Sequence, residues 1–160
     1  MINNYYLTLF DIFAVRYCLL DEKYYFCRKN YFMKVLLLNG SPRKEGNTFI
    51  ALSEVASALK DNGVEAQIIN IGNKAIQGCI ACHKCSELGR CAFNDELYNT
   101  VCESMKDADG LIAGSPVYYG GPNGSLCALL DRVFFSGSEL LEYKPAASVV
   151  VCRRGGASAA

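Results

Sequence analysis

From Met33 onward, short apolar runs alternate with apolar stripes at helical spacing, and this alternation restricts the fold more than any other feature of the chain. Val35–Leu38 is a continuous aliphatic run, the pattern of a strand buried on both faces. Residues 48–61 follow with Leu52, Val55 and Leu59 on one helical face, and Gly63 supplies a stop. Glu65–Ile71 reads as a second strand. Asn94-Asp95-Glu96 then caps a helix and places acids in its first turn, and Leu97, Val101, Met105 and Ala108 form its buried stripe. Asp109-Gly110 ends that helix before a third strand, Leu111–Gly114. Leu126, Leu129, Leu130, Val133 and Phe134 make the next helical face, and Ala147–Cys152 is a fourth strand. The order β-α-β-α-β-α-β predicts an α/β fold, a doubly wound parallel sheet.

The 160 residues fit one domain, and two segments stand outside the pattern. Residues 1–32 hold ten of the chain's eighteen tyrosines and phenylalanines without a clean period or turn chemistry. The preferred reading is an N-terminal extension, either an upstream translation of doubtful meaning or a weakly ordered tail. The alternative is an extra helix covering an apolar face or a dimer contact. At the other end, the loop Arg153–Ala160 opens with no helix after it. A five-stranded sheet would continue, so the domain at 33–160 is expected to be C-terminally truncated, missing its last strand and helix.

Lys+Arg and Asp+Glu both total 16, which argues against an electrostatic nucleic-acid binder. No apolar run approaches the length of a membrane span, so no membrane partner is expected. The chain has nine cysteines, and Cys79, Cys82, Cys85 and Cys91 crowd into one short window. Oxidised secreted domains spread their cysteines and follow a signal peptide. Here Asp11 and Arg16 interrupt the best N-terminal apolar stretch, so the expected compartment is the reducing cytoplasm.

Two loops follow strands directly. Gly40-Ser41-Pro42-Arg43-Lys44-Glu45-Gly46-Asn47-Thr48 leads into the first helix. A helix N-terminus there would offer backbone donors and positive potential to a phosphate. Ser41, Asn47 and Thr48 add side-chain donors, and Arg43 adds charge. The nucleotide-binding P-loop has one residue fewer between its glycines and a lysine where Asn47 stands, so ATP or GTP chemistry is not expected. An ordinary strand-to-helix turn is the competing reading. In the second loop, Pro116, Val117, Tyr118 and Tyr119 form a stiff, partly aromatic wall, and Gly120 and Gly121 permit backbone contact with a flat ligand. Packing of these tyrosines on a neighbouring helix or subunit is its competitor. Parallel sheets bind ligands at the carboxyl edge of their strands. A phosphate carried on a flat ring system points to flavin mononucleotide.

The segments Met33–Arg43, Gly46–Thr48 and Ser115–Gly120, in this order and spacing, resemble the NADPH-dependent FMN reductase family of flavodoxin-like proteins. The resemblance covers residues 33–160. It implies a flavodoxin-like sheet of order 2-1-3-4-5 with FMN at the switch point between strands 1 and 3. By that resemblance Ser41, Arg43, Asn47 and Thr48 hold the phosphate. Pro116, Val117, Tyr118, Tyr119 and Gly120 line the ring, and the loop around Gly155 approaches its other edge. It also implies NAD(P)H as electron donor and a homodimer or higher homo-oligomer.

Cys79-x2-Cys82-x2-Cys85-x5-Cys91 is a compact four-thiolate spacing suited to an iron–sulfur cluster. It resembles the motif of the iron-sulfur flavoproteins, a branch of the same family, which implies a [4Fe-4S] cluster. A tetrahedral zinc site and unliganded thiols remain the alternatives. His83, the only histidine, is expected to be a solvated loop residue, since four thiolates already fill such a site. Cys102, Cys127 and Cys152 read as small buried hydrophobes. The expected function is hydride transfer from NAD(P)H to FMN and on to an acceptor the sequence does not identify. The alternatives are an iron-sulfur flavoprotein acting as an electron carrier, and a non-catalytic flavin-binding fragment.

Overall fold

The structure, a computed structural model, describes residues 32–160. The readings of residues 1–31, including Cys18 and Cys27, lie outside the described residues. Strand β1 (Lys34–Asn39) leads into helix α1 (Asn47–Asp61) and strand β2 (Glu65–Asn70). A long cysteine-bearing segment follows, holding a single helical turn, α2 (Cys85–Leu88), which the sequence pattern did not announce. Helix α3 (Glu96–Asp107), strand β3 (Gly110–Pro116), helix α4 (Gly124–Ser136) and strand β4 (Ala146–Val151) complete the order. The described strands form one parallel sheet, β2-β1-β3-β4. This is the doubly wound α/β, flavodoxin-like arrangement expected for its first four strands.

Alternation along β1 decides which helix covers which face. Leu36 and Leu38 point into a cluster with Tyr98, Val101 and Met105 of α3 and Leu126, Leu129 and Val133 of α4. Leu37, between them, points to the other face, against Leu52 of α1 and Val149 of β4. All three leucines are 0% exposed, each contributing roughly 1.5–3 kcal/mol of burial. The chain therefore leaves β1 toward one face and β3 toward the other. The connections that leave these two adjacent strands part to opposite faces at their carboxyl ends, which is the switch point of a doubly wound sheet.

The helix ends follow local chemistry. The Asp95 carboxylate accepts the Tyr98 N–H at 3.0 Å, capping α3. Gly63, at φ +75°, ends α1 with its N–H on the Lys60 carbonyl.

Two positions depart from the predicted stripes. In α3, Tyr98 is buried and Leu97 only partly so. In α4, Phe134 is 43% exposed and Arg132 is buried instead. The two residues lie on opposite flanks of the Leu126–Leu129–Val133 stripe. The flank carrying Arg132 packs against Tyr98 of α3 and the cysteine segment, whereas Phe134 stays exposed among the described residues.

Candidate functional site

The carboxyl edge of β1 and β3 is drawn together by backbone. The Gly40 N–H donates to the Gly114 carbonyl at 2.7 Å. A Cβ at Gly40 would lie 2.7 Å from that carbonyl oxygen and 2.8 Å from Leu126 Cδ2, so only glycine permits the approach. Asn39 is fully buried. Its Nδ2 donates to Asn70 Oδ1 at 2.7 Å, and its Oδ1 accepts the Ser41 N–H at 3.1 Å. The ends of β1 and β2 and the first loop are thus held by one amide.

Within the first loop, Ser41 is buried and its Oγ accepts the Arg43 N–H at 3.2 Å. Arg43 and Asn47 are exposed, and Thr48 is buried. Helix α1 starts at this loop behind Gly46, with no side-chain cap and no acid in its first turn. Its first N–H groups have no intrahelical partner and lie at the positive end of a 15-residue helix.

In the second loop, the Tyr118 N–H donates to the Gly121 carbonyl at 2.9 Å and the Gly121 N–H returns to the Tyr118 carbonyl at 3.1 Å. Tyr119 and Gly120 form the tip, with φ of 51° and 80°. A tyrosine in the left-handed region is held there by the reciprocal bonds on either side, and backbone strain of this kind gathers at ligand-facing loops. Both tyrosines are exposed, while Pro116 and Val117 are partly buried. Ser115 Oγ accepts the Asn123 N–H at 2.8 Å, and Asn123 in turn caps α4 by accepting the Ser125 N–H at 2.7 Å. The loop's two ends are therefore tied together.

The third loop reaches the second. Gly156 has φ +93°, and a Cβ there would lie 3.2 Å from Val117 Cγ1 and 3.5 Å from Gly120 Cα. Gly155 beside it faces open space. The predicted residues of all three loops thus stand along one edge of the sheet.

The four clustered cysteines line one shallow, open recess, with Ile80, Phe93, Phe135 and Arg132 among the other walls. Cys91 is buried, Cys85 partly buried, and Cys79 and Cys82 exposed. They surround the recess rather than converge. Among the described residues, no three His, Cys, Asp or Glu side chains are gathered closely enough to hold one metal ion. The segment turns back on itself through left-handed Ala81 (φ 52°) and His83 (φ 57°). The Ala81 N–H points at Cys79 Sγ, 3.4 Å away. His83 is exposed, its ring edge-on to Phe135 at 5.5 Å.

Arg132 was absent from the sequence-based site and is central to the recess. Its Nε donates to Cys91 Sγ at 3.4 Å, and its Nη2 pairs with Asp95 Oδ2 at 2.6 Å. Its guanidinium lies 4.7 Å from the centre of the Tyr98 ring. Burial works against its charge, but the Cys91 sulfur and the Asp95 carboxylate more than offset it and hold its pKa above the ordinary arginine value. Burial also pushes up the Tyr98 phenol, against the lowering effect of its bond to Ser136. Burial raises the Cys102 thiol too, against a bond from Tyr98. No local signal marks Arg132, because an arginine on the flank of the Leu129–Val133 stripe reads as a solvated residue. Asn39 and Asn123 were also missed, although Asn123 directly before a helical stripe is a cap signal.

The thiolate donor set, a sulfur-directed N–H and an apolar rim fit an iron–sulfur cluster by chemistry. The edge loops fit a phosphate and a planar ring.

The family model described as NADPH-dependent FMN reductase matches residues 33–160. Over 100 residues the chain is 42% identical to an iron-sulfur flavoprotein of Methanocaldococcus jannaschii, covering 62% of this chain and 51% of that protein. It is 31% identical over 99 residues to an FMN reductase (NADPH) of Escherichia coli, covering 62% and 47%. Among solved structures, RosB with a bound 8-demethyl-8-formylriboflavin-5'-phosphate intermediate superimposes with a TM-score of 0.63 at 16% identity, over 78% of this chain and 54% of that one. That last likeness is one of fold. The chain spans about half the length of the curated relatives it matches.

Proposed function

The chain belongs to the NADPH-dependent FMN reductase family, and on that premise we propose that its three-loop edge binds FMN in an NAD(P)H-dependent oxidoreductase. The observation that carries this reading is the meeting of the loops at the switch point, through the Gly40–Gly114 bond and the contact of Gly156 with Val117 and Gly120. FMN, when bound, supplies a hydride acceptor at its ring N5 and passes electrons onward. The chain's own part is to bind, orient and shield. The N-terminus of α1, with Ser41, Asn47, Thr48 and the exposed Arg43, holds the phosphate dianion. Pro116, Val117, Tyr118, Tyr119 and Gly120 support one side of the ring, and Gly155 leaves room for its other edge. No side chain needs to move a proton, so no acid–base residue is assigned.

A second reading is favoured by the cysteine recess, in which the protein is an iron-sulfur flavoprotein and Cys79, Cys82, Cys85 and Cys91 hold a [4Fe-4S] cluster. One zinc ion requires all four sulfurs within about 2.3 Å of a point. Four irons each take one thiolate, which suits sulfurs arranged around a recess. Helix α4 joins the two sites, because Asn123 ties its start to the flavin edge and Arg132 lies in the recess. The axial rise between those residues is about 14 Å. Electrons would then leave to a protein or small-molecule acceptor.

The exposed Tyr118 and Tyr119 leave the ring wall open in a single copy, which supports a homodimer or higher homo-oligomer. The described cysteines are all free, in keeping with a reducing, cytoplasmic setting. No helix of the described residues is long and apolar enough to cross a membrane. One preparation tests the reading. Flavin absorbance after reconstitution with FMN, bleached by NADPH, is the expected result. Stoichiometric iron and sulfide add the cluster. No retained flavin overturns the oxidoreductase reading.

A further inference from the structure

One buried cation clasps both ends of the cysteine segment. Arg132, 1% exposed, donates from Nη1 to the Gln77 carbonyl at 3.3 Å, just before Cys79. It donates from Nη2 to the Phe93 carbonyl at 2.6 Å, just after Cys91, and from Nε to Cys91 Sγ itself. Its carboxylate partner, Asp95, is 46% exposed and so partly screened by water. The Arg132 side chain is 0% exposed, so its charge acts through protein on the Cys91 sulfur.

We propose that Arg132 is a positioning residue that sets the reduction potential of the cluster, with Asp95 as its counterweight. This rests on the cluster reading above. One-electron reduction adds one negative charge to the thiolate-bound cluster, with the electron drawn from flavin or, in a titration, from dithionite. A positive charge hydrogen-bonded to one of the sulfurs stabilises that reduced form and raises the potential. Asp95 opposes it. Hydrogen bonds to sulfur and net local charge are the established levers on such potentials.

The test is an anaerobic redox titration of the full chain, followed by electron paramagnetic resonance, after iron has been measured per chain. R132Q is expected to shift the midpoint negative, and D95N to shift it positive. Each should change the reduced-to-oxidised ratio about tenfold at fixed potential, which is 59 mV for one electron. R132K, which keeps the charge, should lie closer to wild type than R132Q. A merely structural role would move R132Q and D95N in the same direction or not at all, and either result overturns the proposal. If R132Q does not fold or hold iron, D95N decides alone. Asparagine preserves the cap of α3, so an unmoved or more negative D95N midpoint overturns the proposal. Wild-type protein without iron after reconstitution overturns the cluster reading and this inference with it. Iron with unmoved potentials overturns this inference alone.

Discussion

Replacing Gly40 with alanine tests whether the close approach of β1 and β3 builds the proposed flavin edge. The new Cβ would sit 2.7 Å from the Gly114 carbonyl oxygen and 2.8 Å from Leu126 Cδ2. The carbonyl cannot move aside cheaply, because Gly114 lies in β3 between Asn39 of β1 and Val149 of β4. The strand ends must therefore part. Overpacking of this kind costs about 1–3 kcal/mol. Lengthening the 2.7 Å Gly40–Gly114 hydrogen bond removes a further ~0.5–1.5 kcal/mol. Together they predict a loss of about 2–4 kcal/mol, a fall of roughly 5–15 °C in melting temperature for a domain of this size. Melting followed by circular dichroism reads the stability, and quenching of FMN fluorescence reads affinity. G63A serves as control. Gly63 has φ +75° and open space around it, at the far end of α1 from the first loop. That variant should lose about 1–2 kcal/mol of stability while keeping its FMN affinity. A G40A protein that melts within about 2 °C of wild type and binds FMN equally well would refute the reasoning.

Gly114→Ala meets a side chain rather than backbone, with its Cβ 2.6 Å from Leu52 Cδ1. L52A alone should cost about 2–5 kcal/mol. In urea unfolding, the double variant should be more stable than the two single losses predict by about 0.5 kcal/mol or more; strict additivity would contradict the contact. Arg43→Gln should weaken FMN binding about tenfold, the share of one charge-assisted hydrogen bond. Because Arg43 is exposed, its melting curve should not move; unchanged affinity in calorimetry would remove Arg43 from the phosphate site. Cys82→Ser, at an exposed position, should abolish iron incorporation yet leave flavin content and apoprotein stability unaltered. Full iron retention in that variant would exclude Cys82 as a ligand.

The fold was legible because its signals are local. Leu36, Leu37 and Leu38 in succession mark a strand covered on both sides, and the structure buries all three completely. Asp95 announced the start of α3 because a cap needs only its own side chain and the next turn. The loops after β1 and β3 were visible as glycine-bearing breaks following apolar runs. That both lie at one edge follows from parallel connectivity alone.

Other features depend on what packs across the chain. Phe134 and Arg132 flank the same apolar stripe, and only the position of α3 and the cysteine segment decides which is covered. An arginine there reads as solvated until Asp95, Phe93, Gln77 and Cys91 are brought around it. Gly40 reads as a turn glycine, yet its constraint is contact with Gly114 and Leu126, some 70 or more residues away. The sequence by itself determined the parallel α/β order, the glycine loops and the four-cysteine spacing, since each is a matter of neighbours along the chain. Only the tertiary structure decided how tightly the strand ends approach and which charge faces the cysteines. Those depend on distances between segments, and a hydrogen bond or a buried ion pair exists only when such a distance closes.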